Sequence, residues 1–216
     1  LVNSLIITRS KPFEKVHEMA APYRKVFIVG CGTCATSCQT GGEDQVKEIA
    51  KRLGGKVTGK AVVESPCDLR IVRKDLAKSK EALGRADAVL VLSCGAGVQV
   101  IADYTGKTVI PGLDTLFIGK IERIGRVYER CRACTDCLLY ETGGICPVSR
   151  CSKGLMNGPC GGMADGKCEA GGHIRDCAWV LIYKTLKDQG RLETFSKYRE
   201  PRDRSKKSQP QEILTR

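Results

Sequence analysis

Between Cys131 and Cys177 the chain carries eight cysteines in 47 residues, CRACTDCLLYETGGICPVSRCSKGLMNGPCGGMADGKCEAGGHIRDC. Large apolar residues are few there, so the stretch cannot bury a core of its own and has to be held by what its thiols bind. The gaps between successive thiols are two, two, eight, four, eight, seven and eight residues. The opening Cys131-x2-Cys134-x2-Cys137 is the spacing by which one short loop wraps three thiolates around an iron–sulfur cubane. Cys146-Pro147 repeats the Cys-Pro ending of the bacterial ferredoxin run, but nine residues after Cys137 instead of four. Glycines recur between Gly143 and Gly166, as a backbone folding tightly over a cluster requires. The stretch reads as a metal-cluster module, with Cys131, Cys134, Cys137, Cys146, Cys151, Cys160, Cys168 and Cys177 as candidate ligands.

Disulfides, structural zinc and plain burial compete with a cluster for these thiols. A disulfide framework suits a small secreted protein, but the chain has 13 cysteines, an odd number, and no secretory signal precedes them. Structural zinc shows paired C-x2-C arms or Cys/His pairs, whereas one tight cluster followed by singletons stands here, so zinc is kept for one site. Buried unligated cysteines account for one or two thiols, not eight. The opening LVNSLIITRSKPFEKV has too short an apolar run before Arg9 and Lys11 for a signal peptide. No run of about 18 apolar residues exists, so no membrane span is expected. Retained thiols without an export signal point to a reducing cytoplasm. The first residue is Leu, which leaves the true start open.

The formal charge of +12 invites a nucleic-acid reading, but that count treats thiols as neutral. A cubane with four thiolates carries roughly two net negative charges, so three clusters would cancel about half the excess. Residues 197–216 hold seven Lys/Arg against three acids. Aromatics are not interleaved with the basic residues as a base-stacking platform requires. A solvated basic surface, or one docking an acidic partner, fits better than a nucleic-acid groove.

In chain order, a strand is expected at Leu5–Thr8 and a short helix opened by Pro12. Lys25–Gly30 is an apolar run of strand length that enters CGTCATSCQTGG. Glu43–Leu53 turns helical, with Val46, Ile49, Ala50 and Leu53 on one face, and Gly54-Gly55 stop it. Lys56–Glu64 is a second strand, followed by Cys67; Leu69–Leu83 is helical. Ala88–Leu92 is a third strand, with Cys94 close behind, Val98–Tyr104 a short helix and Thr108–Pro111 a fourth strand. The segment TLFIGKIERIGRVYERC reads as a connector packing on the first domain, and a helix starts near Asp176. Residues from Pro201 onward read as a flexible or partner-bound tail. Strands alternating with helices imply βαβ units and a mostly parallel sheet, whose ligands bind beyond the carboxyl ends of the strands. By that rule Cys31, Cys67 and Cys94 share one edge, with Cys34 and Cys38 in the loop of Cys31. Five thiols there suffice for a second cluster. The competing phosphate-cradle reading fails because GCGTCATSCQTGG has no Walker lysine and no clean G-x-G-x-x-G. The fold class is therefore α/β: a small, mostly parallel sheet domain with helices, followed by a cysteine-rich, loop-dominated iron–sulfur module. The expected boundaries are 1–118, 119–192 for connector and module, and 193–216 for a polar basic tail.

The strings VFIVGCGTCATSCQTGGE, VLVLSCGAGVQ and TGGICPVSRCSKGLMNGPCGG, with GKCE and DCAW further on, resemble the methylenetetrahydrofolate reductase C-terminal domain family, in its cysteine-rich, stand-alone MetV-type form. The resemblance runs from about Ile6 to Leu192. In that family the domain is fused behind, or bound beside, a flavin-bearing reductase; this chain has no room for that roughly 250-residue barrel. The resemblance thus implies a separate subunit, of a kind associated with acetogenic anaerobes and the methyl branch of carbon fixation through acetyl-CoA. It makes all thirteen cysteines candidate ligands without saying which four form each cluster.

The residues themselves reach a compatible place. The histidines, His17 and His173, form no nucleophile–base pair, and His173 is at best a spare metal ligand. With no organic active site, a cluster-rich chain most simply moves electrons. The expectation is about two or three [4Fe–4S] clusters passing electrons to the flavin of a methylenetetrahydrofolate reductase partner, with further donor subunits allowed and one site open to zinc. A metal-stabilised assembly subunit without a redox role is the alternative, and redox or methyl-transfer chemistry at the strand-end thiols a weaker third.

Overall fold

The computed structural model describes residues 6–203, 205 and 210–213. The chain divides into two compact units, residues 1–128 and 129–216.

The first unit begins with β1 (Ile6–Ser10), α1 (Phe13–Ala20), β2 (Val26–Cys31), α2 (Cys34–Ser37) and α3 (Glu43–Leu53). It continues through β3 (Val57–Val63), α4 (Leu69–Leu76), α5 (Lys80–Gly84), β4 (Ala88–Leu92), α6 (Gly95–Thr105), β5 (Thr108–Pro111) and β6 (Leu113–Arg123), and the division between the units falls within β7 (Arg126–Cys131). Strands β3-β2-β4-β5 form a parallel sheet in that order. Every residue of β2 and β4 is buried, as expected of parallel strands covered on both faces. Side chains alternate between the two faces. Val26, Ile28, Leu90 and Leu92 pack with Val16 of α1 and Val46 of α3, while Phe27, Val29, Val89 and Val91 pack with Val72, Leu76, Leu83 and Ile101 of α4, α5 and α6. Fully burying each such side chain contributes about 1.5–3 kcal/mol, so these two layers dominate the unit's stability.

The expected strands and helices of this sheet are present, with two differences. The helix expected over Leu69–Leu83 breaks into α4 and α5 at a 3-10 turn, Ala77–Ser79, which keeps both Leu76 and Leu83 buried. The segment read as a connector is two strands. β6 pairs antiparallel with β1 (Ile6↔Ile118, Ser10↔Leu113), and β7 lies beside β6 after a turn at Ile124-Gly125, where Gly125 has φ +76. The β-branched Ile118 and Ile121 of β6, with Val127 of β7, favour that pleated geometry. Leu5, the expected start of β1, lies outside the described residues.

The second unit has little regular structure: α7 (Pro147–Arg150), α8 (Ala178–Asp188) and short 3-10 turns at Glu169–Gly171 and Leu192–Thr194. Its core is Cys177, Trp179, Ile182 and Leu186, with Ile145, Leu155, Met163 and Phe195 packed around them. Trp179 Nε1 donates to the Leu155 carbonyl at 3.0 Å, and Phe195 stands edge-on to Trp179 and Tyr183. Within the stretch expected as the start of a polar tail, Phe195 packs on this core, Thr194 is buried, and the Arg199 guanidinium lies over the Trp179 ring. Arg199 is 7% exposed; its Nε donates to Glu141 Oε2 at 3.0 Å, and its backbone N–H donates to Asn157 Oδ1 at 2.7 Å. The tail expected from Pro201 lies partly outside the described residues.

Candidate metal centres

All thirteen thiols are free. Five stand at one edge of the parallel sheet, because β3, β2 and β4 are adjacent, point the same way and end together: Cys31 pairs with Val63, and Gly30 with Leu92. Cys31 is the last residue of β2, Cys34 opens α2 and Cys38 caps its end. Cys67 follows β3 and precedes Asp68, the N-cap of α4; Cys94 follows β4 and N-caps α6. The strand-end placement read from the sequence is therefore observed.

Local bonds set these loops. Thr36 Oγ1 donates to the Cys31 carbonyl at 2.6 Å, and the Cys31 amide donates to the Gly41 carbonyl at 2.8 Å. Gly41 must be glycine, since a Cβ there would lie 2.1 Å from the Leu92 carbonyl oxygen. That close approach seats the Cys31–Gly41 loop on the end of β4, two residues before Cys94. In the Cys67 loop, Asp75 accepts from the Glu64 amide at 3.0 Å. Asp68 accepts from the Arg70 amide at 2.9 Å, and its pairing with the Arg70 side chain lowers its pKa to about 2. The thiols themselves face different neighbours: Cys31 Sγ lies 3.5 Å from Thr33 Oγ1, Cys67 Sγ 3.5 Å from Ser65 Oγ, and Cys38 Sγ 3.7 Å from the Ile6 carbonyl.

In the second unit Cys131 ends β7, and Cys146 and Cys151 cap the two ends of α7. Cys168 and Cys177 precede the Glu169–Gly171 turn and α8. Cys134, Cys137 and Cys160 lie in loops. Ala133 and Thr135 have φ +46 and +67, a left-handed conformation that costs a non-glycine residue about 1–2 kcal/mol. This alternation lets the Ala133 amide turn back to donate to Cys131 Sγ at 3.3 Å. His173 has its Nε2 3.2 Å from the Gly162 carbonyl, and the His17 ring lies tilted beside Phe13 on α1. Burial, then the nearby Arg130 charge, lowers the Arg150 guanidinium below its ordinary range, while Asp176 opposes the shift.

Among the described residues no three Cys, His, Asp or Glu side chains converge as a ready metal-holding group. The fold gathers the cysteines by unit and by edge but does not by itself close them on a centre. The donor set suits iron–sulfur clusters: thiols greatly outnumber histidines, and a backbone N–H already points at a cysteine sulfur.

Residues 110–205 match the family model described as methylene-tetrahydrofolate reductase C terminal. The matched stretch takes in β6, β7 and all eight cysteines from Cys131 to Cys177, while the five strand-end thiols precede it. No curated protein and no solved structure matches the chain. No helix among the described residues is long and apolar enough to cross a membrane.

Proposed function

We propose that the chain is an iron–sulfur electron-transfer subunit that binds a flavin-containing methylenetetrahydrofolate reductase. It would pass electrons to that partner's flavin for reduction of 5,10-methylenetetrahydrofolate to 5-methyltetrahydrofolate. The observation that carries this reading is that the stretch similar to the reductase C-terminal family model holds eight free thiols. Bound clusters of this type supply low-potential one-electron carriers. The chain's own residues do the rest. Cys31, Cys34, Cys38, Cys67 and Cys94 offer thiolates at the sheet edge, and the eight later cysteines offer them in the second unit. Backbone donors such as the Ala133 amide offset thiolate charge. Neither histidine is placed as an acid or base beside a nucleophile, so carbon chemistry falls to the flavin partner.

The small core of the second unit favours a second reading, in which bound metal, partly zinc, only holds an assembly subunit together. Reconstitution separates the two. The chain alone should not reduce methylenetetrahydrofolate, and with its flavin partner it should let a low-potential donor reduce the flavin. Cys134→Ser should lower that donor-driven rate at least about tenfold while partner binding persists. A cluster-depleted Cys134→Ser protein that binds its partner and supports the full rate would leave the assembly reading in place.

A further inference from the structure

We infer that Arg202 is the positioning donor of the Cys131–Cys137 loop, giving a hydrogen bond to the sulfur of the cluster bound there and raising its reduction potential. Three observations place it. The loop is held in an unfavourable shape, left-handed at both Ala133 and Thr135. Arg202 is what grips it: its Nη2 donates to the Cys134 carbonyl at 2.9 Å and the Asp136 carbonyl at 2.5 Å, with the Asp136 carboxylate 4.0 Å away. The other end of the same guanidinium is unsatisfied, since Nη1 is fully buried and has no hydrogen-bond partner among the described residues.

A guanidinium presents a rigid planar fork, so Nη1 cannot be far from the chain that Nη2 binds. A buried N–H without an acceptor is rare and costly, and it is tolerated where an acceptor arrives with a ligand. The Asp136 carboxylate stands beside the guanidinium without accepting from Nη1, and the loop's other side-chain acceptors that a ligand would engage are the sulfurs of Cys134 and Cys137. A thiolate-ligated cluster is anionic, and a cationic N–H donor to it favours the reduced, more negative state. Arg202 thus clamps the loop with one nitrogen and offers the other to the bound group. Lysine would keep the charge but not the two-ended fork.

This inference rests on the cluster-binding reading, and the test keeps the two apart. Full-length wild type, Arg202→Lys and Arg202→Gln would be purified anaerobically and compared for iron content and for potential by an EPR-monitored redox titration. Amide exchange over residues 133–137 would be followed in the metal-loaded proteins. Wild-type iron content should persist in both variants. One cluster potential should shift negative in Arg202→Gln and less so in Arg202→Lys, and exchange at 133–137 should quicken in both. Unchanged potentials with normal iron would overturn the donor role while leaving the cluster reading intact. Loss of iron from both variants would make Arg202 a folding residue only. A wild type without iron would overturn both.

Discussion

Removing the metal should unfold the second unit while the parallel sheet of the first stays folded. Residues 131–177 are mostly loop, and ordering each residue's backbone costs about 1–2 kcal/mol. Against that, the unit's fully buried large side chains are Trp179, Ile182 and Leu186, each returning about 1.5–3 kcal/mol. The left-handed Ala133, Thr135, Asp165 and His173 add strain to the same loops. Metal ligation of the kind seen in small metallo-domains contributes on the order of 10 kcal/mol, enough to decide between folded and unfolded. The first unit needs no such help, since two apolar layers flank β2 and β4. Amide exchange on chelated protein should show protection lost across 131–177 and kept at residues 26–31 and 88–92. Equal protection of 131–177 with and without metal would refute metal-dependent folding of the unit.

Cys94→Ser should remove one centre and spare the others. Cys94 is buried, stands just beyond β4 and N-caps α6, and serine is near in size and a good N-cap residue. The sheet should therefore keep its stability, while the edge loses a thiolate that serine replaces poorly. Iron should fall by about four atoms per chain, the content of one cubane. Exchange protection over 131–177 should not change, because those residues form a separate unit. Cys67→Ser should have the same effect if the thiols of neighbouring strand ends serve one centre. Full iron content in both variants would remove the strand-end cysteines from the ligand set.

The sheet was legible because its signals are local and strong. Ala88–Leu92 is an unbroken apolar run of strand length, and Glu43–Leu53 is an amphipathic helix stopped by glycine; both match the observed elements. The strand-end position of Cys31, Cys67 and Cys94 followed from chain direction alone, since parallel strands linked by helices end at one edge. The hairpin β6–β7 was not legible as such, because its apolar positions at 118, 121, 124 and 127 recur every three residues and not every two as a half-buried strand requires. Its pairing with β1 joins residues more than 100 positions apart (Ile6↔Ile118), which no local pattern reports. Arg199 and Arg202 looked like part of a basic tail; their burial depends on Glu141, Asn157 and the Cys134 loop, which adjoin them only in the fold. Cysteine spacing raised the expectation of a cluster module, and spacing does not say which thiols meet.

The central claim is that these thiols hold redox-active clusters. The visible spectrum of the anaerobically purified chain, recorded with its iron and zinc content before and after a low-potential reductant, tests it most directly. Redox-active clusters predict iron for about two or three cubanes per chain, with broad visible absorbance that bleaches on reduction. Iron near zero with stoichiometric zinc, or an absorbance that the reductant leaves unchanged, would contradict the claim.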